Sequence, residues 1–328
     1  MISSLERVVT NCVDNILEGN VALMRFLGKA RPWAGGDQII LPIKIQKSTS
    51  LGSYSGLDTF TTAQTSERIM ASVDPKQYYA SIVISGIQEA VNAGEGRLLD
   101  LLATEMESKA ADLKDDMADG FYSDGTTNSS KVITGVHAAC DDSTNVTTYE
   151  GISRSTYVAW KGNYNEQSGA LTEGSFYTDI NEAEIGNDAP TVCFTTPAVF
   201  SLYEALLDDE VRYTLSFAGY DKMTASGMQK GSNTAAGTGF NSLYCRGIPV
   251  VADEQATSGN AFWLNEKHIW MYSFRKHPKH GGAAKSGFFW TGLKEPTNQD
   301  GSVGQLLWYG NLACDGPRFL TRRYSITT

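Results

Sequence analysis

The chain has 328 residues, 41% of them hydrophobic and 20% charged. At about 150 residues per domain this is one large domain or two modest ones, with enough apolar mass for a real core and too much for a disordered tail. No apolar run approaches the roughly 20 residues that cross a bilayer, and the N-terminal stretch lacks the basic start and cleavage site of a secretory signal, so neither a membrane nor an export role is expected. The 37 acids against 27 bases leave a net charge of −10, a poor footprint for a nucleic-acid-binding face.

In chain order, Leu5, Val8, Val9, Cys12, Ile16, Leu23 and Phe26 recur at roughly helical spacing until Pro32 stops them. This predicts an arm with a short helix that must lie on something else to cover its apolar stripe. Gln38–Gln46 then alternates, with Ile39, Leu41, Ile43 and Ile45 on one side, which predicts a strand. Pro42 inside it cannot donate to a ladder and demotes it to an edge. Shorter alternating runs follow at Arg68–Val73 and Tyr78–Ile84. The connection Lys47–Glu67 is rich in Ser, Thr and Gly, with isolated Leu51, Tyr54, Leu57 and Phe60. It is far longer than the usual hairpin loop of 2–5 residues. Segment 37–84 therefore reads as a projecting two-stranded limb with a soft tip. Such a limb either lies on a neighbouring subunit or is a flap on a monomer.

Residues 93–121 carry Leu99, Leu102, Met106, Leu113, Met117 and Phe121 at three- and four-residue steps, which predicts one helix of roughly 40 Å. From Glu95 to Asp124 nine acids face three bases. The plain reading of that acidity is a solvated face. Between Asp141 and Ala189 short polar stretches alternate with aromatic positions. Thr195-Thr196-Pro197 opens a second helix, since threonine caps and proline suits the first position. Val199, Phe200, Tyr203, Leu206, Leu207 and Val211 form its stripe. Residues 215–240 read as a mobile loop. The C-terminal third holds short β-branched or aromatic runs at 247–253, 260–265, 268–274 and 304–314.

Nothing in this pattern assembles a catalytic centre. Gly281-Gly-Ala-Ala-Lys285-Ser286 fails as a phosphate loop, because Ala284 stands where a glycine must precede the lysine. His277 and His280 are flanked by lysines, with no carboxylate beside them, and read as a basic surface turn. The five cysteines, at 12, 140, 193, 245 and 314, form no CxxC pair and read as buried or idle thiols. No catalytic, cofactor or metal-binding residue is expected, and no enzyme.

The order of these parts resembles the major capsid proteins of tailed double-stranded DNA bacteriophages. The resemblance rests on the limb, on GFYSDGTTNSSKVITGV (120–136) after the long helix, and on ISRSTYVAWKG (152–162). It also rests on TTPAVFSLYEALL (195–207), on GIPVVADEQATSGNAFWLNEKHIWM (247–271), and on the ending NLACDGPRFLTRRYSI (311–326). It implies an α+β chain with the Hong Kong phage-type capsid fold. The implied parts are an N-terminal arm (1–36), an extended β-hairpin loop (37–84), a peripheral domain with a spine helix (85–180), an axial domain (181–310), and a C-terminal strand and tail (311–328). It implies self-assembly into hexamers and pentamers of an icosahedral head, in a virion assembled in the host cytoplasm. The other implied partners are a portal, in some members a decoration protein, and packaged double-stranded DNA held without sequence-specific binding. The limb is reached by residue 37, so no fused scaffolding domain is expected, and a separate scaffolding protein is implied. Expected inter-subunit contacts are Lys44, Lys47, Tyr54, Leu57, Phe60 and Arg68 on the limb. On the spine helix they are Glu105, Asp112 and Asp116. The tail arginines Arg318, Arg322 and Arg323 are expected to pair with a neighbour's spine acids. The alternatives are an encapsulin-like nanocompartment shell, which shares the fold, and a β-rich glycan-binding or hydrolytic protein.

Overall fold

The computed structural model describes residues 20–33, 35–60, 62–63, 66–91, 95–214, 242–277, 279, 281–282 and 287–327, with the side chains of 91–101 and a few others set aside. The expectations for residues 1–19 of the arm and for the loop 215–240 lie outside the described residues.

Helix α1 (Val21–Gly28) starts where the Asn20 side chain accepts from Leu23 N at 2.9 Å. It buries Val21, Leu23, Phe26 and Leu27. Strand β1 (Arg31–Trp33) follows, then β2 (Ile39–Lys44) and β3 (Arg68–Val73), paired antiparallel from Ile39–Val73 to Lys44–Arg68. Strand β4 (Lys76–Ser85) leads by a short helical turn to α2 (Glu95–Tyr122). Along α2 the buried positions are Leu102, Met106, Ala110, Leu113, Met117 and Phe121. They recur every three or four residues, so one stripe faces the core from Leu102 to Phe121.

Strand β5 (Asn163–Glu166) and helix α3 (Glu173–Ala183) come next, then β6 (Val192–Thr195) and α4 (Pro197–Thr214). The sequence pattern does not predict α3, because its buried face carries Asp179 among Phe176, Ile180 and Ala183, and a charge inside the stripe breaks the apolar period. The remaining strands are β7 (Ser242–Cys245), β8 (Ile248–Ala252), β9 (Ala261–Leu264), β10 (Ile269–Phe274), β11 (Phe288–Trp290), β12 (Gly301–Cys314) and β13 (Thr321–Tyr324).

These strands build two main sheets. In the first, the fourteen-residue β12 is the common partner. It pairs antiparallel with β4 from Gly301–Ser85 to Gly310–Lys76, with β11 at 306–308, and with β10 from Gly310–Ser273 to Cys314–Ile269. β1 adds parallel to β10. Gly310 is where β12 passes from one set of partners to the other. A Cβ there would lie 2.1 Å from Tyr272 O and 2.7 Å from the Trp308 ring, so only glycine fits. The second sheet has the order β5-β13-β9-β6-β8-β7. Its central strands are buried on both faces. Val192, Phe194, Val251, Phe262 and Leu264 face the large core beneath α2, while Cys193, Val250, Ala261 and Trp263 face a second core against α3 and α4. That two-sided burial explains why these segments read as continuous apolar runs.

Three expectations are corrected. First, the limb does not extend to 84. The β2–β3 ribbon ends at Val73, and β4 belongs to the body, where Tyr78, Ala80, Ile82 and Ile84 are buried. Alternation identifies a strand but not its partner, and this partner lies more than 200 residues downstream. Second, the peripheral and axial blocks are not contiguous. β10 and β11 join the sheet of β4, while β5 and α3 join the sheet of β6.

Third, Arg322 and Arg323 are not offered to a neighbour. Arg323 grips Asp179 with Nε to Oδ2 at 2.7 Å and Nη2 to Oδ1 at 2.6 Å, and it donates to Gln167 Oε1 and Ser175 O. Arg322 donates from Nε to Asn260 Oδ1 at 2.9 Å and from Nη1 to His137 Nε2. Both are buried because β13 is an inner strand of the second sheet, so each guanidinium is desolvated and must find its partners within the chain. Burial, followed by the Arg322 charge, pushes His137 down to about 4, consistent with a neutral ring accepting from the arginine.

Two expected outcomes follow from this packing. Phe121→Ala, in the core against Phe26 at 5.1 Å, lowers stability by about 3–5 kcal/mol in denaturant unfolding, whereas Asp116→Asn on the exposed face of the same helix stays within about 0.5 kcal/mol. Arg323→Ala strands a buried carboxylate and costs about 3–5 kcal/mol, while Arg318→Ala, exposed on the adjoining turn, is near neutral. Equal effects of the two arginine changes would return both to the surface role expected from sequence.

Candidate functional site

The ribbon β2–β3 is anchored on one face and open on the other. Ile43, Ala71 and Val73 turn into the core, Ser72 N donates to Glu150 O at 2.9 Å, and Gln38 Nε2 reaches Asp74 Oδ1 at 2.6 Å. The opposite face presents Ile40 and Met70, both exposed. Beyond it the tip holds itself together with its own hydrogen bonds. Gln46 Nε2 donates to Ser66 O, Ser50 Oγ to Ala63 O, and Ser55 N to Asp58 Oδ2. None of its large apolar side chains is covered: Leu51, Tyr54 and Phe60 are about two-thirds exposed, and Leu57 is wholly so. Tyr54 and Phe60 meet edge to face at 4.9 Å, the one ring contact they make among the described residues.

The expected limb cations sit at the ribbon's outer end. Lys44 pairs with Glu67 at 3.1 Å, and hydrogen bonds from Ser48 and Lys44 hold the Glu67 carboxyl below its usual range. Lys47 and Arg68 are exposed. On α2, Glu105 is half-buried, Asp116 is exposed, and Asp112 meets Lys109 at 3.0 Å in a pair too exposed to contribute much. The structure therefore brings Lys44, Lys47, Tyr54, Leu57, Phe60 and Arg68 together on one limb. Glu105, Asp112 and Asp116 lie separately on the helix, and Arg318 sits alone among the expected tail contacts at the surface.

A second apolar surface was not expected. On the outer side of β4 and the turn after it, Tyr79, Val83 and Ile87 are each more than half exposed. Tyr79 stands opposite Leu307 and Gln77 opposite Tyr309, lining a shallow cleft of about 250 Å³. The alternation of β4 could have shown this face, since its odd positions carry Tyr79 and Val83 where a solvated strand would carry polar groups. Exposed apolar groups on a limb tip and on a long strand are the mark of protein–protein contact.

Nothing comparable exists for catalysis among the described residues. Cys140, Cys193 and Cys314 are fully buried, and desolvation pushes each thiol up, that of Cys140 to about 12. A thiol held protonated is not a nucleophile. No group of three or more His, Cys, Asp or Glu among the described residues is arranged to hold a metal ion.

No protein-family model and no curated protein matches the chain. Solved structures do. A chain of the cyanophage A-1(L) capsid asymmetric unit superposes with a TM-score of 0.62 at 16% identity, covering 94% of each chain. The capsid of cyanophage P-SCSP1u gives 0.54 at 12%, covering 95% of this chain and 89% of the other. The capsid of Myoviridae phage XM1 gives 0.53 at 10%, covering 93% and 92%. At such low identity and near-complete coverage what is shared is architecture: the chain has the α+β Hong Kong phage-type capsid fold.

Proposed function

We propose that this chain is the major capsid protein of a tailed double-stranded DNA bacteriophage, a structural subunit that assembles into the hexamers and pentamers of an icosahedral head. The observation that carries this reading is the limb: a ribbon anchored in its own core at Ile43, Ala71 and Val73, ending in a tip whose Leu51, Tyr54, Leu57 and Phe60 find no cover among the described residues. A limb of this kind gains its burial on the next copy. Many such overlaps multiply into a lattice stronger than any single contact. The acidic balance of the chain supports the packaging role, because a subunit at −10 gives DNA little to adhere to. The virion is its place of action, with assembly in the host cytoplasm. A separate scaffolding protein and a portal complete the assembly, a decoration protein can add to it, and no catalytic step is assigned.

Purified protein is expected to form particles of tens of nanometres in electron micrographs, and a small monodisperse oligomer would overturn the reading. Nucleic acid inside the particles separates a phage head from an encapsulin-like compartment. Deleting 48–66 leaves β2 and β3 paired, so the subunit keeps its melting temperature within a few degrees while shell yield drops by an order of magnitude. Undiminished, heat-stable shells from the deletion variant would remove the limb from the mechanism.

A further inference from the structure

The two sheets are joined by two neighbouring crossovers. Residues 265–268 carry the chain from β9 in the second sheet to β10 in the first, and residues 315–320 carry it back from β12 to β13. The crossovers are tied to each other. Asp315 N donates to His268 O at 3.0 Å, His268 Nδ1 and Asp315 Oδ1 lie 2.8 Å apart, and the Phe319 ring stacks on the imidazole with centroids 4.0 Å apart and planes within 6°. The other ring nitrogen, Nε2, is buried and makes no hydrogen bond within the described structure. It lies 3.9 Å from Asp188 Oδ2, on the loop leading into β6 of the second sheet. That gap is about 1 Å too long for a hydrogen bond.

We propose that His268 is a proton-operated clasp at the hinge between the two sheets. The neutral ring, with its one proton on Nδ1, binds Asp315 alone and turns a bare lone pair toward Asp188. Uptake of a second proton from solvent, on Nε2, makes that nitrogen a donor. The imidazolium then bridges both carboxylates and draws the Asp188 loop onto the paired crossovers. Loss of that proton releases the loop.

The surrounding charges fit the role. Lys267 on the same crossover holds the other oxygen of Asp188 at 2.5 Å and keeps that carboxyl below its usual range. Burial raises Asp315, against the pull of His268 and of Arg31 on β1. Glu150, whose carboxyl accepts from Cys314 N at 2.8 Å, is pushed up to about 8 by burial, with the Asp315 charge adding to the rise, and the Arg318 guanidinium lies 5.8 Å from the Phe319 ring centroid. Histidine is the side chain whose charge ordinarily changes between about pH 5 and 8; Glu150 changes charge near the upper end of that range, and the H268Q and D188N variants separate the clasp from it. The inference concerns the subunit by itself and holds whatever assembly it enters.

Hydrogen exchange of the full-length chain at about pH 5.5 and about pH 8, corrected for the intrinsic pH dependence of amide exchange, tests this. Amides of 266–268, 315–320 and 186–189 are expected to be about tenfold better protected at the lower pH. H268Q abolishes the difference. D188N, a change at a half-exposed loop position that leaves the core untouched, reduces it to under about threefold, and so decides the matter even if H268Q fails to fold. Equal protection of these amides at the two pH values in the unmodified chain, or a difference that persists undiminished in D188N, overturns the proposal.

Discussion

Strand β12 is the member on which the rest of the structure depends. It is hydrogen-bonded along both edges, to β4 on one side and to β11 and β10 on the other. β4 leads directly from the limb, and β12 itself runs into the crossover that enters the second sheet. The ribbon is a separate two-stranded sheet, joined to this frame through the short link from Val73 to Lys76, while β12 joins the sheet beneath α2 directly to the crossover. The close approach at Gly310 is the local cost of sharing one strand among three partners.

Buried polar groups then lock this frame. Asp253, at the end of β8, accepts from Ala22 N at 3.2 Å, Tyr122 hydroxyl at 3.0 Å, Gln255 N at 3.1 Å and, more weakly, Asn20 Nδ2. One carboxyl thus ties the start of α1, the end of α2 and the second sheet. Arg154 does the same for the turns after the long helix. Its guanidinium donates to the carbonyls of Ala138, Ala139, Val146 and Trp160 and lies over the Tyr149 ring at 4.8 Å. Each group is fully buried or nearly so and each is satisfied, which is the condition under which buried polarity specifies one arrangement rather than destabilising it. The cores supply the bulk of the stability, and these junctions fix the angles between their parts.

The surface divides in a complementary way. The described exposed side of α2 is acidic and holds the Asp112–Lys109 pair, whereas the limb tip and the outer side of β4 are apolar and uncovered among the described residues. A subunit that met only solvent would have the reverse priority, with polar groups wherever a strand edge or loop tip is open. Apolar groups left open on the limb tip and on β4 give the chain two surfaces suited to a protein partner.

Much of this was legible from residue order. Period-two alternation marked β2, β3 and β4, three- and four-residue steps marked α2, and Thr196-Pro197 marked the start of α4, because each of these signals is local and the backbone answers to it locally. The composition of Lys47–Glu67 likewise determined that the tip has too few apolar groups to fold upon itself. Pairing was decided only by the tertiary structure. The partner of β4 lies more than 200 residues away, α3 hides behind a buried aspartate whose arginine comes from the tail, and Arg322 and Arg323 look like surface charges until β13 is inserted between β5 and β9. A strand's pattern records which side is wet, and a charge records only that it needs a partner. Which chain segment supplies the dry side or the counter-charge is set when distant segments pack, and no neighbour in sequence carries that information.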